Sequence, residues 1–318
     1  FCVWRIRRTA YPLKLFSEAA SRVAEGELST PLPEIRTKDE LAHFRDSFAY
    51  MQRSLEDYIH RLTETTRAKE RIESELNIAR KLQMSLLPNI FPPFPEWKTL
   101  DLYASLSSAK EVGGDLYDFF IRDRKLFFTV GDVSGKGIPA SLFMAVTRSL
   151  FRIMAGSCET PSEIAAKLNH AVMEQNDANM FVTMFIGIMN LENGELSFCS
   201  AGHNPPLLVK QEKEVAFVDV ESNIPIGVCD GFEFAEQCMM LPKDSALLVY
   251  TDGLTEAEND KCELLGNDRV LEALLHLDGL SARCIVERMT KLVTGFAGEA
   301  EQSDDLTLLC VRLTNNIE

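Results

Sequence analysis

Along the first ninety residues the apolar positions recur three and four apart. Leu15, Ala19 and Val23, with Phe16 and Ala20 beside them, make one helical stripe between Pro12 and Glu25, and Gly26 stops it. The connector "ELSTPLPEIRTK" follows, with two prolines and three spaced apolar residues, Leu28, Leu32 and Ile35. "DELAHF" then places Asp39 and Glu40 in the first turn of a second helix. Leu41, Phe44, Phe48, Met51, Leu55, Tyr58 and Leu62 continue it as a heptad seam. Two short amphipathic helices cannot bury such seams alone; a parallel dimer buries them as a four-helix bundle. The register persists weakly through Ile72, Leu76, Ala79 and Leu86, with Thr65, Thr66, Lys69 and Gln83 at or beside it. So polar a seam reads either as a bistable signalling joint or as a plain spacer. The helix should end near Leu87, before Pro88, and the prolines of "PNIFPPFPEW" mark a domain boundary.

From about Lys98 the pattern changes to period two broken by helical runs. "LYDFFIRDRKLFFTVGDV" predicts two strands around a charged turn, and "FVTMFIGIMNLENGELSFCSAG" a hairpin through Asn193-Gly194. "FEFAEQCMMLPKDSALLVYTDG" predicts another strand pair and "DLTLLCVRL" a last strand. Helices are expected over 138–155, 161–176, 266–277 and 281–296, the second with Thr160 as N-cap, Pro161 at its first position and Glu163 in its first turn. Strand pairs beside helix pairs imply antiparallel sheets with helices outside, an α+β layered fold.

Charge narrows the function. The 318 residues carry a formal net charge of −15, which argues against non-specific nucleic-acid binding and suggests a carboxylate-rich site. The eight cysteines include no C-x-x-C pair, so a zinc finger or thioredoxin-type motif is not expected. The opening "FCVWRIRR" holds too few apolar residues to span a bilayer, which takes about 20. Its apolar start followed by Arg5, Arg7 and Arg8 reads as the cytoplasmic exit of a truncated transmembrane helix over 1–8, or as a frayed end.

Aspartates gather at predicted strand ends. Asp115 lies in "EVGGDLYDFF", Asp132 follows "KLFFTVG", Asp252 follows "ALLVYT", and Asp304 and Asp305 start "DDLTLLCV". One such aspartate is ordinary turn chemistry. Four sites in one domain are different, because two carboxylates about 4 Å apart at an effective dielectric near 20 repel by roughly 4 kcal/mol. A cluster persists if cations occupy it or if some members protonate, and all-oxygen ligands select hard cations, Mg²⁺ or Mn²⁺. "GDVSGKGIPA" is not a Walker loop: no hydroxyl follows Lys136, and Gly131 to Gly135 is one residue short. Its useful groups are Asp132 and the Val133 carbonyl, with Gly135 and Gly137 turning the chain into a helix at Pro139. Lys136 is either a phosphate contact or solvated.

Residues 9–60 resemble a HAMP domain: Pro12 near the start, the Gly26 stop, and "DEL" at the second helix. The pieces "ARKLQMSLLP", "EVGGDLYDFF", "GDVSGKGIPASLFMA", "SAGHNPPLLV", "YTDGLTEAEN" and "SDDLTLL" resemble, in that order, the bacterial branch of the metal-dependent PPM (protein phosphatase 2C-like) serine/threonine phosphatases, the RsbU/SpoIIE group. The resemblance implies an α/β/β/α sandwich over 98–318, a coiled-coil linker over 61–97 and a HAMP helical pair before it. It implies two Mn²⁺ or Mg²⁺ ions bridged by Asp132, with the Val133 carbonyl, Asp115, Asp252 and Asp304 completing their shells. Asp305 becomes a supporting residue; Gly113 and Gly114 make room for a substrate phosphate, with Gly253, His203 and Asn204 nearby. His203 reads either as a loop histidine satisfied by backbone or as a metal or acid group. Eukaryotic members carry a histidine where this chain has Ser134, which leaves leaving-group protonation open. The implied reaction is single-step hydrolysis of phosphoserine or phosphothreonine by water held between ions roughly 3.5–4 Å apart. The implied substrate is a STAS-type anti-sigma factor antagonist, and the implied setting a homodimer on the cytoplasmic side of a bacterial inner membrane. The large apolar residues of helix 138–155, Leu142, Phe143, Val146, Leu150, Phe151 and Ile153, read first as core packing; the alternative is that movement of this helix, driven by the linker, is the switch. A nucleotide cyclase and a catalytically inactive HAMP-linked scaffold are the rivals; the cyclase would lack "DDLTLL", and the scaffold would have lost an aspartate.

Overall fold

The structure is a computed structural model that describes residues 2–35, 40–174, 176–210, 214–275 and 281–314, with side chains of 2–10 and 12 left out. The expected Asp39 and helix end at 276–277 lie outside the described residues. The chain divides into two compact units, Phe1–Glu75 and Leu76–Glu318.

In the first unit, α1 (Cys2–Ala24) ends before Gly26, whose φ of 100° takes the left-handed conformation that stops a helix. The helix α2 (Glu40–Leu86) begins here and runs unbroken into the second unit. Phe16, Ala19 and Val23 are buried, and the Phe16 ring meets Phe44 edge-on at 5.2 Å. Gln52 ties down the connector by donating to the Leu28 and Thr30 carbonyls, at 3.1 and 3.0 Å. The lower seam, Leu55, Tyr58 and Leu62, is exposed in the single chain.

The second unit is built on two five-stranded antiparallel sheets. One orders β1 (Leu100–Ser107), β10 (Leu306–Leu313), β9 (Ala246–Tyr250), β6 (Leu207–Lys210) and β7 (Glu214–Phe217). The other orders β2 (Leu116–Arg122), β3 (Lys125–Val133), β4 (Val182–Asn190), β5 (Glu195–Ala201) and β8 (Gln237–Met240). Alternation decides which layer each strand residue fills. Phe128 and Leu309 enter the core between the sheets. Their neighbour Phe127 faces α3 (Ile138–Ala155) and α4 (Pro161–Met173). Leu308 faces α5 (Gly266–Leu274) and α6 (Ala282–Ala297). The result is the expected α/β/β/α sandwich. The turn between β2 and β3 has positive φ at both Asp123 and Arg124, the two-residue hairpin geometry that fits strand twist. Gly187 faces Phe128, and a Cβ there would stand 2.4 Å from its ring.

Two expectations change. The segment read as a strand pair around Pro242 instead sends one strand to each sheet: β8 pairs with β5, while β9 pairs with β10 and β6. Between them the chain is tied first to Gly194 and then to Leu313 through backbone hydrogen bonds, so it crosses between layers. The apolar residues of α3 are not all core. Met144, Thr147 and Phe151 face inward, but Leu142, Val146 and Ile153 are exposed. Among the described residues α3 alone is long and apolar enough to cross a membrane, yet its inner face packs on the sheet.

Candidate active site

Strand register brings the aspartates together. Leu116 pairs with Gly131, which sets Asp115, just before β2, against Asp132 in β3. Tyr250 pairs with Leu308, so Asp252, after β9, and Asp304 and Asp305, before β10, fall at one end of the other sheet. Asp115 joins the two sheets. It is 1% exposed, and its Oδ2 accepts from the hydroxyls of Thr251 at 2.7 Å and Thr307 at 2.6 Å, both fully buried on the opposite sheet. Asp132 lies within hydrogen-bonding reach of Asp115.

Asp305 does a different job from its neighbour. Its carboxylate accepts from backbone N–H groups, Ala109 at 2.8 Å and Gly114 at 2.7 Å, and so shapes the loop before Asp115. Asp304 instead meets Lys136 Nζ at 2.8 Å, and Lys136 also donates to the Ser303 carbonyl at 2.7 Å. The glycines are dictated by close approach. A Cβ on Gly113 would lie 2.2 Å from Asp305 Oδ2, on Gly253 2.0 Å from the Asp305 carbonyl oxygen, and on Gly114 3.0 Å from the Val133 carbonyl oxygen. That last contact places the Val133 carbonyl beside the loop. Gly135 and Gly137, with φ of 86° and 80°, turn the chain into α3 as expected.

The group is electrostatically strained. Burial first, then Asp132 and Asp305, holds the Asp115 carboxyl well above the usual range, against the two threonine hydroxyls that favour its charged form. Burial, then Asp252 and Asp304, pushes Asp132 up to about 7. Asp252 is raised by burial, Asp304 and Glu256, and its buried Oδ1 has no partner among the described residues. The hydrogen bond to Asp304 raises Lys136. Among the described residues no three acidic, cysteine or histidine side chains close into a ligand cage. The donor set, all oxygen with one orphaned carboxylate atom, suits a hard divalent cation.

His203 stands one strand away. Its Nδ1 is 2.9 Å from Thr183 Oγ1, and Thr183 lies opposite Asp132 in the β3–β4 ladder. Burial pushes it down to about 4, partly offset by a hydrogen bond to the Tyr250 backbone, so the ring is neutral. Asn204 is half-buried next to it. Ser134 is spent on structure, its hydroxyl accepting from the Phe181 N–H at 3.0 Å.

Sequence reasoning missed three sets of supporting residues. Thr251 and Thr307 sit beside the chosen aspartates, and only strand pairing shows that both face Asp115. Asp118, fully buried, accepts Arg152 through two nitrogens at 2.6 and 2.5 Å and meets Arg148 at 3.2 Å, fastening α3 to β2. Gln83, in the quoted "ARKLQMSLLP", has a full pair of hydrogen bonds to Gly113.

Comparison with known proteins supplies the family and the fold. The sequence model of the Stage II sporulation protein E (SpoIIE) family matches residues 122–314, and that of the HAMP domain residues 4–57. Protein IcfG of Synechocystis is 26% identical over 96% of this chain and 52% of its own length. The phosphoserine phosphatase RsbU of Bacillus subtilis is 30% identical over 60% of this chain and 56% of its own length. The chain thus spans about half the length of the curated relatives it matches. The solved SiaA-PP2C domain of Pseudomonas aeruginosa superposes with a TM-score of 0.69 at 20% identity, over 77% of this chain and 98% of that one, a likeness of fold.

Proposed function

The chain belongs to the Stage II sporulation protein E family and carries a HAMP domain, and from that premise we propose that it is a metal-dependent protein serine/threonine phosphatase. The observation that carries this reading is the set of four carboxylates, Asp115, Asp132, Asp252 and Asp304, held at adjoining strand ends, where burial and neighbouring carboxylates raise Asp115, Asp132 and Asp252. Rigid strands do not tolerate such charge without a use for it. Two Mn²⁺ or Mg²⁺ ions, held by these carboxylates and the Val133 carbonyl, would supply an activated water and neutralise phosphoryl charge.

The chain's own residues do the rest. Thr251 and Thr307 orient Asp115, so this one carboxylate is set before a cation arrives. Gly113, Gly114 and Gly253 bring backbone, not side chains, to the edge of the site and leave room for a phosphate. Lys136 neutralises Asp304 while no cation does; with Asp304 engaged elsewhere, its ammonium is free to meet the phosphate of an incoming residue. His203 is buried, neutral and bonded to Thr183, which favours a supporting role over an acid. The Ser134 hydroxyl accepts from the Phe181 N–H and so ties its loop to that backbone.

The substrate we propose is a phosphoserine or phosphothreonine on a STAS-type anti-sigma factor antagonist, under control of the HAMP domain and a dimeric helical linker. We place the protein on the cytoplasmic side of a bacterial inner membrane, behind a transmembrane segment ending at 1–8, with HAMP over 9–60, the linker over 61–97 and the phosphatase over 98–318. The exposed seam of α2 supports the dimer. The test is chelation: metal-free protein should release no phosphate from a phosphoserine-bearing STAS-type protein, and Mn²⁺ should restore release. Release that survives chelation contradicts the reading.

A further inference from the structure

Beside the carboxylates the surface sinks into a hollow of about 130 Å³, between the loop after β9, the end of α6 and the loop before β10. Ala257, Val293 and Ala297 make its walls apolar, and Glu258 lines it as well. Two further lining residues tie it to the site: Gly253 directly follows Asp252, and Ser303 directly precedes Asp304. The loops that carry them meet. The Ser303 hydroxyl donates to the Glu256 carbonyl at 3.4 Å, and a Cβ on Gly253 would fall 2.0 Å from the Asp305 carbonyl oxygen. Adjacent Cα atoms stand about 3.8 Å apart, so the hollow begins one residue's length from two of the four carboxylates. A peptide whose phosphoserine reaches those carboxylates carries its neighbouring side chains past it.

Its walls and its rim say what it would take. The volume is close to the roughly 150 Å³ that admits a benzene-sized group, so it has room for one side chain. Apolar walls suit methylenes. The rim is acidic: Glu256, Glu258, Glu299 and Glu301 are exposed, and none is ion-paired among the described residues. Lys136, which donates to the Ser303 carbonyl, is itself paired with Asp304. A lysine or arginine side chain satisfies both features, because it lays its aliphatic stem along apolar surface and keeps its charged end at a wet rim. An apolar side chain would leave Glu258 beside it without a partner, and an acidic one would be repelled.

We propose that this hollow is a specificity subsite for a basic residue of the substrate, a lysine or arginine close in sequence to the phosphoserine, and that Glu258 selects it. The subsite rests on the phosphatase reading above and adds to it the local chemistry of the substrate. It takes no part in the hydrolytic step; it decides which phosphoserine is presented to the carboxylates.

The test uses the full chain with Mn²⁺ and a set of phosphoserine peptides that carry lysine, leucine or glutamate one, two or three residues to either side of the phosphoserine. kcat/KM is measured for each peptide, and p-nitrophenyl phosphate serves as a substrate too small to reach the hollow. At one position lysine should exceed glutamate by about fivefold, the upper range for an exposed ion pair, and should exceed leucine too. High salt should shrink that advantage. Glu258→Lys should invert the order of lysine and glutamate at the same position. Ala297→Leu, which fills the hollow, should erase the advantage of lysine. Each ratio is taken within one protein, so a change at the carboxylates cancels. No preference at any position in wild type, leucine equal to lysine, or a lysine preference that survives Glu258→Lys overturns the subsite. If Ala297→Leu does not fold, Glu258→Lys, at an exposed position, decides alone. Wild type that hydrolyses p-nitrophenyl phosphate and none of the peptides overturns the subsite and leaves the metal-dependent activity standing; wild type that hydrolyses neither overturns both.

Discussion

At the scale of single residues, the site is a balance between burial and charge. Asp132 is pushed up to about 7 by burial and by Asp252 and Asp304, so in the absence of a cation its charge opposes folding. Replacing it by Asn should relieve that repulsion. We expect Asp132→Asn to raise the melting temperature of chelated protein by about 2–4 °C, the change for roughly 1 kcal/mol in a domain of this size. The same variant should lose at least about 100-fold in turnover. Thermal scans with chelator and phosphate-release assays read the two effects; a fall in both would mean the carboxylate stabilises the fold and the site reading is wrong.

His203 gives a test with the opposite sign. Its folded form resists protonation down to about pH 4, against an ordinary value of 6.5. Between those values the unfolded chain binds a proton that the folded chain refuses. Its contribution is present above pH 6.5 and is lost as pH falls towards 4, by about 3 kcal/mol in all. The carboxylates raised by burial pull the other way, but they are common to both proteins in a comparison. Urea unfolding at pH 7 and pH 4.5 should show wild type losing more stability than His203→Asn. Equal losses would mean that the ring is not buried neutral. The aspartates themselves were legible because strand ends and glycines flank them in sequence. Thr251, Thr307 and Gln83 were not, since their partners lie 136, 192 and 30 residues away, and only tertiary pairing brings them together.

At the scale of elements, periodicity located most helices and strands, and α3 lies over the expected 138–155. It did not assign faces correctly on α3: Leu142, Val146 and Ile153 are large and apolar yet exposed, and composition cannot tell which stripe meets the sheet. Nor could local pattern see that the strands around Pro242 belong to different sheets, because that depends on which edge is free to receive them. α3 remains coupled to the site through Asp118, whose ion pairs with Arg148 and Arg152 tie it to β2, three residues from Asp115. If the linker drives the site, then locking α2 to a second copy should be felt at the carboxylates. A disulfide between copies through cysteine at Leu62, an exposed seam position, should change turnover and Mn²⁺ affinity together, by about tenfold, a typical coupling between sites. Identical oxidised and reduced protein would reduce the linker to a spacer.

At the scale of the whole chain, its acidic balance and its order of parts fit one account: a HAMP domain, a polar helix of 47 residues, and a sandwich whose two sheets each bring carboxylates to one end. The measurement that tests the central claim most directly is phosphate release from a phosphoserine-bearing STAS-type protein with Mn²⁺, by wild type, Asp132→Ala and Asp252→Ala. The account predicts release by wild type and none by either variant, since each carboxylate comes from a different sheet and, in the proposed mechanism, both hold the ions. Release that continues in either variant would contradict it.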